Sequence, residues 1–350
     1  MVQSDKLLIK RVLNRLKEID KKSLFDYNVV LIPDFFIDHF LILNEFKDSI
    51  SKIEKIYKQG GGNIPGISQK ISQGGNASNT ALALTKLGCS SHLICRTDEF
   101  GLYLLNYFLG RNGVDLTRVK TDGRLAITTA LEFGKKHTNI MIGDPGSVSD
   151  FSFEILDEKD KELISNSDML CVTNWNLNKM GTDLALNAFR FAKKYNIKTF
   201  FDSGDPSSRK NEIPILIKKV LANPNLDILG LNEIELKYYS GMKIKKINDI
   251  KKALNLLKKK IKARIDLHTA NFSCTANEKI ILISTPNLDN KYRSTGAGDI
   301  WNAGNIFADL LNFEHDERLF FANSMACCYI SCPESTPPDL EKIKKFISNM

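Results

Sequence analysis

The chain is expected to fold as an α/β protein built on a doubly wound, mainly parallel sheet with helices on both faces, plus a small second β-sheet. Three observations lead there. Short apolar runs alternate with helix-period stretches, two glycine turns open directly into helices, and two segments break the alternation.

The first buried strand is the run Val29-Val30-Leu31-Ile32, and similar runs follow at 92–95, 169–172, 198–201 and 227–230. Continuous apolar runs of this length suit strands covered on both faces. Between them the apolar spacing predicts helices over 177–195 and 247–263. In sheets of this kind, ligands bind beyond the carboxyl ends of the strands. The alternation is broken at 35–73, which holds alternating apolar positions and the loop Gly60-Gly61-Gly62-Asn63-Ile64-Pro65-Gly66. It is broken again at 124–143, where 126–133 and 139–142 read as a hairpin.

With 350 residues, 43% of them hydrophobic and 26% charged, the chain has the composition of a water-soluble globular protein. No run approaches the roughly 20 apolar residues of a membrane span. Residues 1–22 are charged and amphipathic, with Leu8, Val12, Leu16 and Ile19 on one face, and lack the apolar centre of a secretory signal. The net charge of +8 comes largely from lysines on helix faces, and no nucleic-acid-binding motif accompanies it. The seven cysteines are odd in number and contain no Cys-x-x-Cys pair. These features set the expectation of a cytoplasmic protein with neither a membrane nor a nucleic-acid partner, and without a structural metal.

Residues 294–304 read Ser-Thr-Gly-Ala-Gly-Asp-Ile-Trp-Asn-Ala-Gly, followed by apolar positions Phe307, Leu310 and Leu311 on one helical face. The N–H groups of Thr295, Gly296, Ala297 and Gly298 are thereby expected at a helix N-terminus, where the dipole favours an anion and glycine lets a phosphate approach the backbone. Asp299 beside such an anion is suited to take a proton from an attacking hydroxyl. On these residues alone, a glycine turn with an Asp cap is the alternative. A second segment, 74–88, reads Gly-Gly-Asn-Ala-Ser-Asn-Thr-Ala-Leu-Ala-Leu-Thr-Lys-Leu-Gly and opens a small-residue helix.

Together the two segments resemble the paired signatures of the ribokinase-like (PfkB) carbohydrate kinases, in that family's order and at about its separation. The resemblance covers roughly residues 27–334. It leaves 1–26 as an amphipathic N-terminal extension and assigns 27–350 to a kinase domain, with 35–73 and 124–143 as a β-sheet lid over the sugar. It implies a phosphotransferase that moves a nucleotide phosphoryl group to a hydroxyl of a sugar or sugar-like acceptor. Asp299 is then the general base, with the 295–298 turn as its anion hole. Asp38 is similar to the family's substrate-hydroxyl aspartate, with Asp34 as a competing candidate. Gly74, Gly75 and Asn79 resemble its second substrate contact, and Asn76 stands where some members carry Lys. Asn232 and Glu235 resemble its Asn-x-x-Glu element, which acts through water on Mg²⁺ and the phosphates. No direct protein ligand to the metal is assigned. ATP is the implied donor, with ADP as the alternative.

Two departures stand out: Ser294 replaces the usual Asp, and His268-Thr269-Ala270-Asn271-Phe272-Ser273 lacks the glycines of the family's nucleotide loop, leaving Thr269 as its candidate contact. Arg209, near the end of the 198–201 strand, is a candidate for an anionic group on the acceptor, or for a plain ion pair. A nucleoside kinase and a non-catalytic nucleotide- or sugar-binding regulator are the alternative functions. A homodimer is one way to cover the N-terminal helix.

Overall fold

Strands that are apolar on both faces have to be sandwiched between helices, and the computed structural model shows that arrangement. It describes residues 3–20, 22–134, 138–288, 290–292, 294–334 and 336–350. Residues 1, 2 and 21 of the expected extension and 135–137 of the expected hairpin lie outside the described residues. In chain order the strands are β1 (Asn28–Ile32), β2 (Phe36–Leu43), β3 (Ser68–Gly74), β4 (Ser90–Leu93), β5 (Ala126–Phe133) and β6 (Thr138–Asp144). They continue as β7 (Met169–Val172), β8 (Lys198–Asp202), β9 (Ile228–Leu231), β10 (Arg264–His268), β11 (Phe272–Ala276) and β12 (Ile280–Ser284).

The main sheet has eight strands in the order β12-β11-β10-β9-β8-β7-β1-β4. From β4 to β10 every pair is parallel, while β11 and β12 add an antiparallel edge. The chain leaves β1 to one side for β4 and returns on the other for β7. The two crossovers part at the carboxyl end of β1, which opens a crevice there. One apolar core lies between the sheet and helices Asn76–Leu87, Ala297–Leu310 and His315–Ile330. A second lies on the opposite face under Gly181–Lys193 and Ile247–Lys258.

The second sheet has four strands in the order β3-β2-β5-β6. Its 35–73 portion differs from the alternating reading, because a helix, Phe46–Lys58, intervenes between β2 and β3. Phe46, Ile50, Ile53 and Tyr57 recur at helical spacing, and Phe46 packs edge-on against Phe133 at 5.1 Å. The expected helices also end earlier than their apolar patterns. The helix over 247–263 stops at Lys258, since Ile261 and Ala263 are buried on the approach to β10.

The N-terminal helix, Gln3–Glu18, has 16 residues and is only marginally stable alone in water. It docks on its own chain: Val12 and Leu16 are buried against the core that also holds Ile343 and Ile347. Arg11 pairs with Asp316 and Glu317, and Arg15 lies over the Phe313 ring at 5.5 Å. The partly exposed Arg11–Asp316 pair contributes little, and the apolar face carries the docking. Leu16→Ala should therefore lower unfolding stability by about 2–5 kcal/mol, as a buried Leu truncation does, read from the denaturation midpoint. A loss under about 1 kcal/mol would show that the helix is only loosely held.

Candidate active site

Helices Asn76–Leu87 and Ala297–Leu310 start at glycines and pack side by side. The contact at their N-terminal ends is polar: Asn79 Nδ2 donates to Asp299 Oδ2 at 2.9 Å. Asp299 is 8% exposed and occupies the third helical position after Gly296. Burial pushes its carboxyl well above the ordinary range. The Asn79 bond opposes that shift, and the charges of Asp202, Asp34 and Asp38 add to it.

The turn before Asp299 depends on Gly296, whose φ is +79° and where a Cβ would stand 3.1 Å from the Tyr329 hydroxyl. Ala297 N–H donates to the Ser294 carbonyl at 3.2 Å, so the expectation of four unpaired N–H groups is narrowed. The N–H groups of Gly298 and Asp299, in the first turn, lack an intrahelical acceptor by helix geometry.

The two aspartates after β1 have different fates. Asp34 is buried and accepts from Asn76 N at 2.6 Å, Ala77 N at 3.0 Å, Thr173 Oγ1 at 2.7 Å and Asn174 Nδ2 at 2.8 Å. Its oxygens are taken up by the fold. Asp38, on β2, instead lines the crevice between the two sheets, where burial pushes its carboxyl up to about 6 against a hydrogen bond from Thr128. Gly74 faces it, and a Cβ there would collide with the carboxylate.

The far end of the crevice is built from strand ends. Asp202, ending β8, accepts from Gly204 N at 2.9 Å and from Asn302 Nδ2 at 2.6 Å. Asn232, following β9, caps helix Glu233–Ser240 through Ile234 N and Glu235 N. In return, Glu235 accepts from Asn232 N and Nδ2, both at 2.8 Å. Burial and the charge of Asp202 drive Glu235 well above its usual range.

Of the residues singled out from the sequence, Asp38, Gly75, Asn76, Asn79, Asn232, Glu235, Thr295, Gly296, Gly298 and Asp299 line one continuous crevice. Thr269 does not join them. Its hydroxyl accepts from Phe272 N at 3.0 Å and donates to Phe272 O at 2.7 Å, closing the β10–β11 turn. Arg209 is likewise held elsewhere: it bonds the carbonyls of Trp175 and Asn178, pairs with Glu212, and lies over the Trp175 ring at 4.1 Å. The ion-pair alternative accounts for it. His268, Asp202, Asn174 and Asn176 also line the crevice. Their common signal is position at or just beyond the carboxyl end of a core strand.

The crevice can seat an anion on the 295–298 turn, a hydroxyl between Asp38 and Asp299, and cationic charge near Asp202 and Glu235. Its frame is shared with solved kinases. Arabidopsis thaliana ribokinase, solved with ribose and ATP, matches at 20% identity and TM-score 0.74, over 92% of this chain and 98% of that one. Sinorhizobium meliloti adenosine kinase matches at 16% identity and TM-score 0.75, over 93% and 99%. Thermotoga maritima ribokinase matches at 18% identity and TM-score 0.69, over 92% and 99%. No curated protein matches the sequence. Among the described residues, no helix is long and apolar enough to cross a membrane. The family model described as "pfkB family carbohydrate kinase" matches residues 48–343. The chain belongs to the PfkB family of carbohydrate kinases, phosphotransferases that use an alcohol group as acceptor.

Proposed function

We propose that the protein transfers the terminal phosphoryl group of ATP to a hydroxyl of a sugar or sugar-like acceptor, with Asp299 as general base. The observation that carries this reading is the Asn79–Asp299 hydrogen bond, which joins the two glycine turns in the crevice lined by Asp38. The acceptor hydroxyl lies between Asp38, which accepts a neighbouring hydroxyl, and Asp299, which takes the proton as the oxygen attacks phosphorus. The 296–298 backbone holds the phosphate oxygens, and stabilisation of their spread charge supplies most of the acceleration in such transfers.

The donor set at the far end fits a hydrated Mg²⁺. Asp202, Asp205 and Glu235 converge there, and Asn176 has a buried side-chain oxygen without a partner among the described residues. No group of three or more His, Cys, Asp or Glu side chains among those residues is arranged to hold a metal directly. Glu235 and Asp202 would act through water, as Mg²⁺ with retained waters allows. When bound, the ion neutralises charge on the donor phosphates. Support for ATP comes from the Arabidopsis ribokinase complex. ADP is the second donor to assay. A nucleoside is the second acceptor class, favoured by Tyr292 and Tyr329 along the crevice beside the small sheet.

A panel of sugars, inositols and nucleosides with Mg·ATP or Mg·ADP, read by product mass, tests the reading. Nucleotide binding without transfer to any acceptor would favour the regulator alternative. Asp299→Asn should lower kcat by about 10²- to 10⁴-fold with acceptor binding within a few-fold, and retention of a tenth of the activity would remove Asp299 from the base role. Because a base must be ionised and burial raises this carboxyl, the acid limb of kcat/KM should lie above the ordinary carboxylate range of about 4. A limb at about 4 or below would contradict that. Asp38→Ala should act through the acceptor's KM, costing about 10- to 150-fold in kcat/KM for a charged hydrogen bond. Unchanged acceptor kinetics would move the clamp elsewhere.

A further inference from the structure

His268 ends β10, and the β9–β10 register that pairs Leu231 with Leu267 sets it level with Asn232 at the crevice. Its ring faces the anion turn: a Cβ built on Gly298 would meet Cε1 at 3.2 Å and Nε2 at 3.5 Å. The back of the ring rests on Trp301, with centroids 5.1 Å apart, and Trp301 is fixed by a 2.9 Å bond from Nε1 to Asn323. Neither ring nitrogen has a hydrogen-bond partner among the described residues. This imidazole stands in a segment with no glycine, 268–273, where the resembled pattern has a glycine-rich loop.

We propose that His268 is a further catalytic residue, donating a hydrogen bond from Nε2 to a non-bridging oxygen of the nucleotide phosphate seated on the 295–298 turn. The inference rests on the kinase reading of the crevice and adds the side chain that grips the donor. Three features make the ring suited to it. Packing against the Trp301 ring, tilted 36° to it, limits the imidazole's rotamers, so little freedom is lost on binding. Proximity to Gly298 aims it where the turn's N–H groups also point. Burial pushes its pKa down to about 4, so near pH 7 it is a neutral donor that adds hydrogen bonding without a buried charge.

Two substitutions separate the N–H from the ring. His268→Phe keeps an aromatic on Trp301 without a donor, and His268→Gln places an amide N–H near the Nε2 position. In wild type and both variants, equilibrium binding of Mg·ATP and of Mg·tripolyphosphate is measured by calorimetry alongside steady-state kinetics, with thermal midpoints confirming folded protein. His268→Phe should weaken both ligands and lower kcat/KM for the nucleotide by about 10- to 150-fold, as loss of a hydrogen bond to a charged group does. His268→Gln should recover to within a few-fold, and acceptor KM should hold within two-fold throughout. Wild-type-like binding and kinetics in His268→Phe would overturn the proposal and leave the kinase reading standing, and tighter binding would show that the ring obstructs the donor. Wild-type protein that binds Mg·ATP but phosphorylates no acceptor would sink the kinase reading while the binding comparison still judged His268. Wild-type protein that binds neither ligand would overturn the His268 role.

Discussion

Asp34 sits at the end of β1, buried from water, and its carboxylate takes hydrogen bonds from the start of helix Asn76–Leu87 and from Thr173 and Asn174 after β7. Gly75, in a left-handed conformation with φ of +102°, lets that helix begin beside the carboxylate, and a Cβ there would come within 2.9 Å of Asp34 Oδ2. A helix N-terminus is short of acceptors, and a buried carboxylate is short of donors. Each supplies what the other lacks. This one junction ties the two halves of the sheet together at the point where their crossovers part. It also fixes the helix from which Asn79 reaches Asp299.

The acids of this protein divide by their partners. Asp266, on β10, is as buried as any crevice acid, yet Arg264 and Arg318 overcome the effect of burial and hold it below the usual carboxylate range. Arg264 also pairs with Asp309, which Lys198 meets at 2.6 Å. That network joins β10 to helices Ala297–Leu310 and His315–Ile330. The crevice acids Asp38, Asp202, Glu235 and Asp299 meet amides, hydroxyls and one another instead, and burial raises all four. A buried carboxylate without a counter-charge is costly. Cationic charge arriving with a substrate would relieve that cost, which is why strongly shifted acids gathered in a cleft mark sites of chemistry better than paired ones do.

Much of the sheet was legible because parallel strands are buried on both faces and so read as unbroken apolar runs. The runs at 29–32, 169–172, 198–201 and 227–230 fall on β1, β7, β8 and β9. The glycine turns were legible for a related reason: Gly75 and Gly296 both adopt positive φ, which few other residues tolerate. The helix Phe46–Lys58 was missed, since its apolar residues are mostly exposed and mark no buried face. The antiparallel edge strands β11 and β12 were missed as well: β11 interleaves Ser and Thr with its apolar residues, and β12 is only half-buried.

What the sequence determined by itself is whatever depends on neighbours within a turn or two: the strand runs, the helix starts at Gly75 and Gly296, and the local company of Asp299. Which carboxylate of 34 and 38 faces the crevice was decided by tertiary structure. Asp34 is claimed by Thr173 and Asn174, some 140 residues away, while the pleat of β2 turns Asp38 inward. Tertiary structure likewise carried Arg209 onto Trp175, closed Thr269 into its own turn, and set His268 against Gly298. The physical reason is the same each time. A side chain's chemistry is fixed by its type, but its free valences are those left after distant partners have been met, and only packing decides which partners those are.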